Sequence, residues 1–337
     1  PNEQVEWTFP TDYKNAYFDE VMPETLALMR LLDATRPALY VALHNGEMGG
    51  VYYYLNRDEP GLADALRALP GAFGLPLDEG EPESPYLRSY APAVYDMGTI
   101  ADAYDWLETL GVDPTGQIGG SSSGEYTSKH GTLSLVAELP YWVHPAAADT
   151  GRSDESYRDV VLRMSTQLGE TAQSLGELLN RAEPLLRLDT SFVRATRAFV
   201  PALQSIADSE RIRAGAAESA RPATVAEVFS CADLITCFRY RYGGMLVRAL
   251  SAEVGAGTAG PALRAVHADA VALYEAWLAE PGVADDATPA PLMALVGVQY
   301  GSILAAANAV APSAVAPAAV PPAAGLAHGG HGGRGQA

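Results

Sequence analysis

A histidine stands where a short apolar segment ends, and its position is the first in the sequence that could support chemistry. Residues 38–43 are wholly apolar and follow Pro37, which predicts a strand buried on both faces. Asn45 and Gly46 then break the pattern, so we expect His44 at the carboxyl end of that strand. Ligands bind at this edge in open α/β sheets. The alternative is a histidine that caps the strand and hydrogen-bonds to a neighbouring loop.

A second apolar segment, residues 133–142, carries one carboxylate in its interior, Glu138, between Ala137 and Leu139. Burying a carboxylate among such neighbours is costly unless it has a partner or a proton. A histidine at one strand end and a glutamate within another strand together indicate a metal-bound water with a general base beside it.

Several features of the first 145 or so residues resemble the zinc carboxypeptidases of the carboxypeptidase A type. They are an apolar strand followed by His44-Asn45, a turn Gly49-Gly50 followed by tyrosines, a turn Gly119-Gly120 followed by serine and tyrosine, and Glu138 in an apolar strand. The resemblance implies an α/β fold with a partial mixed or parallel sheet, a Zn²⁺ cofactor and a peptide or amide substrate.

The resemblance also implies roles for individual residues. His44 corresponds to a zinc ligand, and Glu138 to the base that takes a proton from water and delivers it to the leaving group. The bond hydrolysed would be the carboxy-terminal peptide bond or a related amide. Gly124, Glu125 and Tyr126 correspond to residues that line the pocket for the substrate's side chain, although an ordinary packed tyrosine is the alternative for Tyr126.

The remaining zinc ligands of that family are not recognisable in this sequence. A catalytic zinc generally takes three protein ligands, and the family's early His-x-x-Glu pair and Asn-Arg residues are missing here, which predicts a chain that begins partway through the domain. His44 and Glu47 have the His-x-x-Glu spacing of such a ligand pair, but a glycine-rich turn does not hold both side chains on one face as a helix would. The alternative is that Glu47 faces water. We therefore expect zinc affinity too weak for catalysis in these residues alone.

Two further hypotheses remain open on the same residues. The first is a non-catalytic carboxypeptidase-like binding protein that kept the sheet and lost the metal. The second is a zinc amidase or deacylase that cleaves an amide other than a peptide bond.

The composition divides the chain into three parts. Residues 1–150 predict the carboxypeptidase-like α/β domain, residues 151–310 an all-α extension in which strand signals vanish, and residues 311–337 a disordered tail rich in Ala, Pro, Gly and His. Within the first part, residues 74–85 predict a surface loop whose carboxylates face solvent, because they lack the ligand spacing of a calcium loop.

The net charge limits the classes of partner. The 337 residues carry a formal charge of −19, which disfavours nucleic acid and anionic membrane surfaces. The longest apolar candidate, residues 291–310, is interrupted by glycine and polar residues and predicts a buried helix rather than a membrane span. Two cysteines are compatible with a reducing, cytoplasmic compartment but do not decide it. The oligomeric state stays open.

Overall fold

A computed structural model describes residues 8–116 and 119–311 of the chain. The α-helices in these residues are α1 (Pro23–Thr35), α2 (Leu62–Ala72), α3 (Ile100–Thr109), α4 (Ser123–Ser128), α5 (Tyr157–Ala182), α6 (Ser191–Gly215), α7 (Val225–Gly255), α8 (Pro261–Ala279) and α9 (Leu292–Val310). The strands are β1 (Thr11–Tyr13), β2 (Ala16–Phe18), β3 (Leu39–His44), β4 (Met48–Gly49), β5 (Tyr52–Leu55), β6 (Ser89–Ala91), β7 (Val94–Asp96), β8 (Leu133–Glu138), β9 (Trp142–Val143), β10 (Arg152–Ser156), β11 (Pro222–Thr224) and β12 (Thr288–Pro289). The tail predicted to be disordered lies outside the described residues, apart from Ala311.

The largest sheet has five strands in the order β3-β8-β5-β7-β6. The pairs β3/β8 and β5/β7 are parallel, whereas β5 runs antiparallel to β8 and β6 antiparallel to β7. The predicted α/β class with a mixed sheet is therefore confirmed. Because β8 is an internal strand, its apolar residues are buried, as their sequence predicted.

The strand β3 lies at the edge of this sheet, so the prediction of a strand buried on both faces is wrong. Among the described residues it pairs with β8 alone, and Leu43 near its end is 68% exposed. The composition of β3 is that of an internal strand of a parallel sheet. Apolar content alone does not specify which strands lie alongside.

One face of the sheet is covered by α2 and α9, which share a core cluster with Leu55 and Leu135. The helix α9, expected in the helical extension, thus packs on the sheet. It is buried on one side only: Met293 and Tyr300 on its outer side are exposed. By length and composition it is the one helix in the described ranges that could cross a membrane, and 28% of its apolar window is buried.

The helices α5 to α8 pack around a second core, which includes the fully buried Leu168, Leu203 and Leu250. The helix α5 ends just before Pro184, which lacks the backbone N–H that a continued helix needs. The short strands β10 and β11 pair antiparallel where no strand was expected. Their pairing joins segments about 70 residues apart, so local periodicity carries no sign of it.

The loop over residues 74–85 joins the sheet to the helices. Glu81 accepts a hydrogen bond from Tyr157 Oη and forms an ion pair with Arg213, and its backbone N–H donates to Ser230 Oγ. A Cβ on Gly80 would lie 1.8 Å from Ser230 Oγ and 2.8 Å from a backbone oxygen of α7, so only glycine permits this close approach. Contacts with α5, α6 and α7 thereby fix the position of this loop beside the sheet.

Candidate active site at the carboxyl edge of the sheet

His44 and Glu138 occupy the carboxyl ends of neighbouring parallel strands. They are direct partners in the register of β3 and β8, so their side chains project from the same face of the sheet. His44 Nδ1 lies 2.9 Å from Glu138 Oε1, within hydrogen-bonding distance. The two residues that the sequence identified as carriers of chemistry are therefore in direct contact.

The two side chains differ in their access to solvent. The Glu138 side chain is 8% exposed, whereas that of His44 is 53% exposed. The hydrogen bond to Glu138 raises the pKa of His44; desolvation opposes this shift, and the negative charges of Glu138 and Glu83 add to it. A protonated His44 donates from Nδ1 to the carboxylate, and its Nε2 makes no hydrogen bond to the described residues. The pair is thus a buried carboxylate with a titratable partner open to solvent.

Tyr52 and Glu83 extend this pair. Tyr52 is the register partner of Glu138 on β5, and its hydroxyl donates to Glu83 Oε1 at 2.7 Å. Desolvation by its crowded surroundings raises the pKa of Glu83, although the residue keeps one side open to solvent, and the charge of Glu138 adds to the shift. Glu83 is exposed, as expected for the loop carboxylates, whereas Asp78 and Glu81 of the same loop are partly buried, so the expectation is wrong for those two. The hydrogen bond joins Tyr52 on β5 to a loop residue 31 positions later in the chain, so no local sequence pattern indicated it.

A cavity of about 400 Å³ opens beside Tyr52 and Glu83 and continues to α7. Its size is typical of a site for a small ligand. Glu47 at its rim forms an ion pair with Arg241 of α7, so Glu47 neither faces water alone nor joins His44 as a ligand pair. The helical part thus supplies one wall of the cavity next to the sheet edge.

The residues predicted to line a substrate pocket lie on the short helix α4. Gly124 packs against Met97 and Ser134, and Glu125 accepts hydrogen bonds from Ile100 N and Ser121 Oγ. The Tyr126 hydroxyl donates to Asp33 of α1 at 2.8 Å. None of Gly124, Glu125 and Tyr126 lines the cavity beside Tyr52. Their contacts are those of packed residues, and their substrate role stays a prediction.

The described residues do not fit a catalytic zinc by themselves. Residues 8–116 and 119–311 contain no group of three or more His, Cys, Asp or Glu side chains that could hold a metal, whereas such a zinc takes about three protein ligands. The other histidines near the sheet are engaged elsewhere: His130 Nε2 lies 2.9 Å from Asp33, and His144 stacks on Phe229. His44 is left as a single candidate ligand.

No family model matches the chain, and neither does any curated protein or solved structure. Function is therefore inferred from the geometry of His44, Glu138 and the residues around them.

Proposed function

We propose that the chain carries the catalytic pair of an amide hydrolase of the zinc carboxypeptidase type, which cleaves the carboxy-terminal peptide bond or a related amide. The supporting observation is the 2.9 Å contact between His44 and Glu138 at the carboxyl ends of adjacent parallel strands. A cavity of about 400 Å³ lies next to this pair and is lined by Tyr52 and Glu83, which neighbour it, but not by His44 or Glu138 themselves.

In this proposal Glu138 acts as general base and then as general acid. Its buried carboxylate takes a proton from the attacking water and later delivers it to the leaving amine, a role that contributes typically about 10²–10⁴-fold to a rate. His44 holds Glu138 in place through Nδ1, and its solvent-exposed ring exchanges protons with bulk water. Glu83 lies next to this pair and accepts a hydrogen bond from Tyr52, and its negative charge adds to the rise in the pKa of His44. A proton on His44 would therefore compete with a metal ion for the imidazole.

Zinc is part of the proposal: a neutral His44 would be one of its ligands, and the ion would supply polarisation of the carbonyl and a lowered pKa of water. The described residues supply one of the three ligands that such an ion needs. We therefore expect weak zinc binding by this chain. Isothermal titration calorimetry tests this expectation, and tight stoichiometric binding that disappears in His44→Ala would contradict it.

Hydrolysis assays test the catalytic pair. Because zinc binding is expected to be weak, the assays contain zinc in large excess. Under these conditions we expect Glu138→Gln to reduce chelator-sensitive release of a carboxy-terminal amino acid from acyl-dipeptides by about 10²–10⁴-fold. Glu275→Gln makes the same chemical change on the exposed surface of α8 and should leave the rate unchanged. Unchanged hydrolysis in Glu138→Gln excludes the proposal. A parallel screen with acyl-amino acids separates a peptidase from a deacylase.

A second candidate is a non-catalytic protein that binds peptides or amides at the same edge. The lack of three metal-binding side chains among the described residues favours it. In that case His44→Ala and Glu138→Gln alter peptide binding or nothing at all, and no hydrolysis is detected with zinc at any concentration.

A further inference from the structure

The cavity between the 74–85 loop and the helices carries an excess of acidic groups. Its lining includes six carboxylates and two guanidinium groups; the carboxylates belong to Glu47, Asp78, Glu81, Glu83, Glu210 and Asp233, and the guanidinium groups to Arg213 and Arg241. If all were ionised, the lining would hold an excess of four negative charges. A space of this kind favours a cation over a neutral or anionic ligand.

The two arginines are already engaged by some of these acids. Arg213 forms ion pairs with Glu81 at 3.0 Å and with Glu210 at 2.6 Å, and Arg241 pairs with Glu47. No arginine of the lining is therefore left to neutralise the other carboxylates.

The remaining carboxylates are stabilised to different degrees. Asp78 accepts hydrogen bonds from the backbone N–H groups of Gly50 and Gly80, and Glu83 accepts one from Tyr52 Oη. Asp233 on α7 makes no hydrogen bond or ion pair with the described residues. Burial raises its pKa to about 7, and the charges of Asp78 and Glu47 add to the shift. Asp233 is the carboxylate in this cavity that a bound cation would stabilise most.

The lining also includes large apolar side chains. Met48, Phe229, Leu234 and Phe238 contribute to the walls of the same space. A ligand that combines an alkyl chain with a cationic end would therefore meet both kinds of surface.

We propose that this cavity binds an alkylammonium group, with Asp233 as its counter-ion and the apolar walls around the methylene chain. A free diamine and a lysine side chain share this chemistry. The inference goes beyond the proposed hydrolase and holds whether or not the chain cleaves amides.

Calorimetric titration of the full chain with 1,5-diaminopentane tests the site, with 1,5-pentanediol as the uncharged control. We expect the diamine to bind and the diol not to bind. Asp233→Asn should lower the affinity for the diamine about tenfold or more, because asparagine keeps the shape of the side chain and removes its charge. Glu275→Gln removes one charge from the surface of α8 and should leave the affinity unchanged. A titration with Nα-acetyl-lysine methylamide shows whether a lysine side chain also enters.

The pH dependence gives an independent test. The acids that face Asp233 include Asp78, whose pKa burial raises to about 6, and Glu47, which stays paired with Arg241. Because an ammonium ion binds the deprotonated acids, diamine affinity should rise from pH 5 to pH 8 and fall with added salt. Equal binding of diamine and diol overturns the proposal. The proposal is also overturned if Asp233→Asn has the same melting temperature as the parent chain and binds the diamine with unchanged affinity.

Discussion

Glu138 in the sheet and Glu253 in the helical part are both buried glutamates, but their partners differ in kind. Glu253 is fully buried, and its carboxylate accepts hydrogen bonds from the backbone N–H groups of Arg187 and Leu188 and from the Thr258 hydroxyl. Burial disfavours its charged form, yet these hydrogen bonds outweigh burial and lower its pKa. Its role is to hold the chain after α5 against the end of α7.

The partner of Glu138 is instead a histidine that titrates and reaches solvent. Backbone N–H donors do not titrate, so the contacts of Glu253 with Arg187 and Leu188 offer no route for proton exchange. A carboxylate bound to an exposed imidazole can exchange protons with water through its partner. Both glutamates are buried, so burial alone does not separate them; under the proposed function, the nature of the partner does.

The largest expected effect concerns Arg213 of α6, which pairs with Glu81 of the 74–85 loop and with the buried Glu210 of α6. Arg213→Met should lower the free energy of unfolding by about 3–5 kcal/mol, because it leaves Glu81 and Glu210 without their shared cation. Chemical denaturation at pH 7 measures the change.

The matched control for Arg213→Met is Arg181→Met, which breaks an ion pair with Asp269 between two half-exposed side chains. That loss should stay below about 1 kcal/mol. Similar losses of unfolding free energy in Arg213→Met and Arg181→Met would show that the buried ion pairs stabilise the fold no more than an exposed pair does.

A smaller loss is expected for Glu253→Gln. The neutral amide weakens the hydrogen bonds from Arg187 and Leu188, which should cost about 1–3 kcal/mol. Because the pKa of Glu253 is lowered in the folded state, its contribution is present above the ordinary glutamate pKa and is lost as pH falls through the folded value. Denaturation curves should therefore show that the difference in the free energy of unfolding between Glu253→Gln and the parent chain becomes smaller at acidic pH. A difference that is independent of pH would contradict this account.

The smallest effect on stability is expected at the sheet edge. In Glu138→Gln the pKa of His44 should fall toward its ordinary value of 6.5, because its main partner has lost its charge. NMR titration of the imidazole measures this shift. The raised pKa contributes stability below about pH 6.5 that is lost as pH rises through the folded value. With His44 half exposed, solvent screening keeps this contribution below about 1 kcal/mol. An unchanged pKa of His44 would show that the pair is not coupled.

Local patterns in the sequence predicted much of the fold and the centre of the site. The apolar runs ending at His44 and containing Glu138 were correctly interpreted as strands, and helices were correctly expected over most of residues 151–310. These features depend on neighbouring residues, so sequence reasoning reaches them. The position of β3 at the sheet edge and the packing of α9 on the sheet depend on distant segments, and both differed from expectation.

By itself, the sequence determined which residue types could act and where the strands that carry them end. Only the tertiary structure decided that β3 and β8 pair with His44 opposite Glu138, that Glu83 reaches Tyr52, and that Asp233 faces a cavity without a partner. The physical reason is that strand register and loop docking are set by contacts between segments dozens to hundreds of residues apart. Such contacts leave no periodic signal in either segment alone.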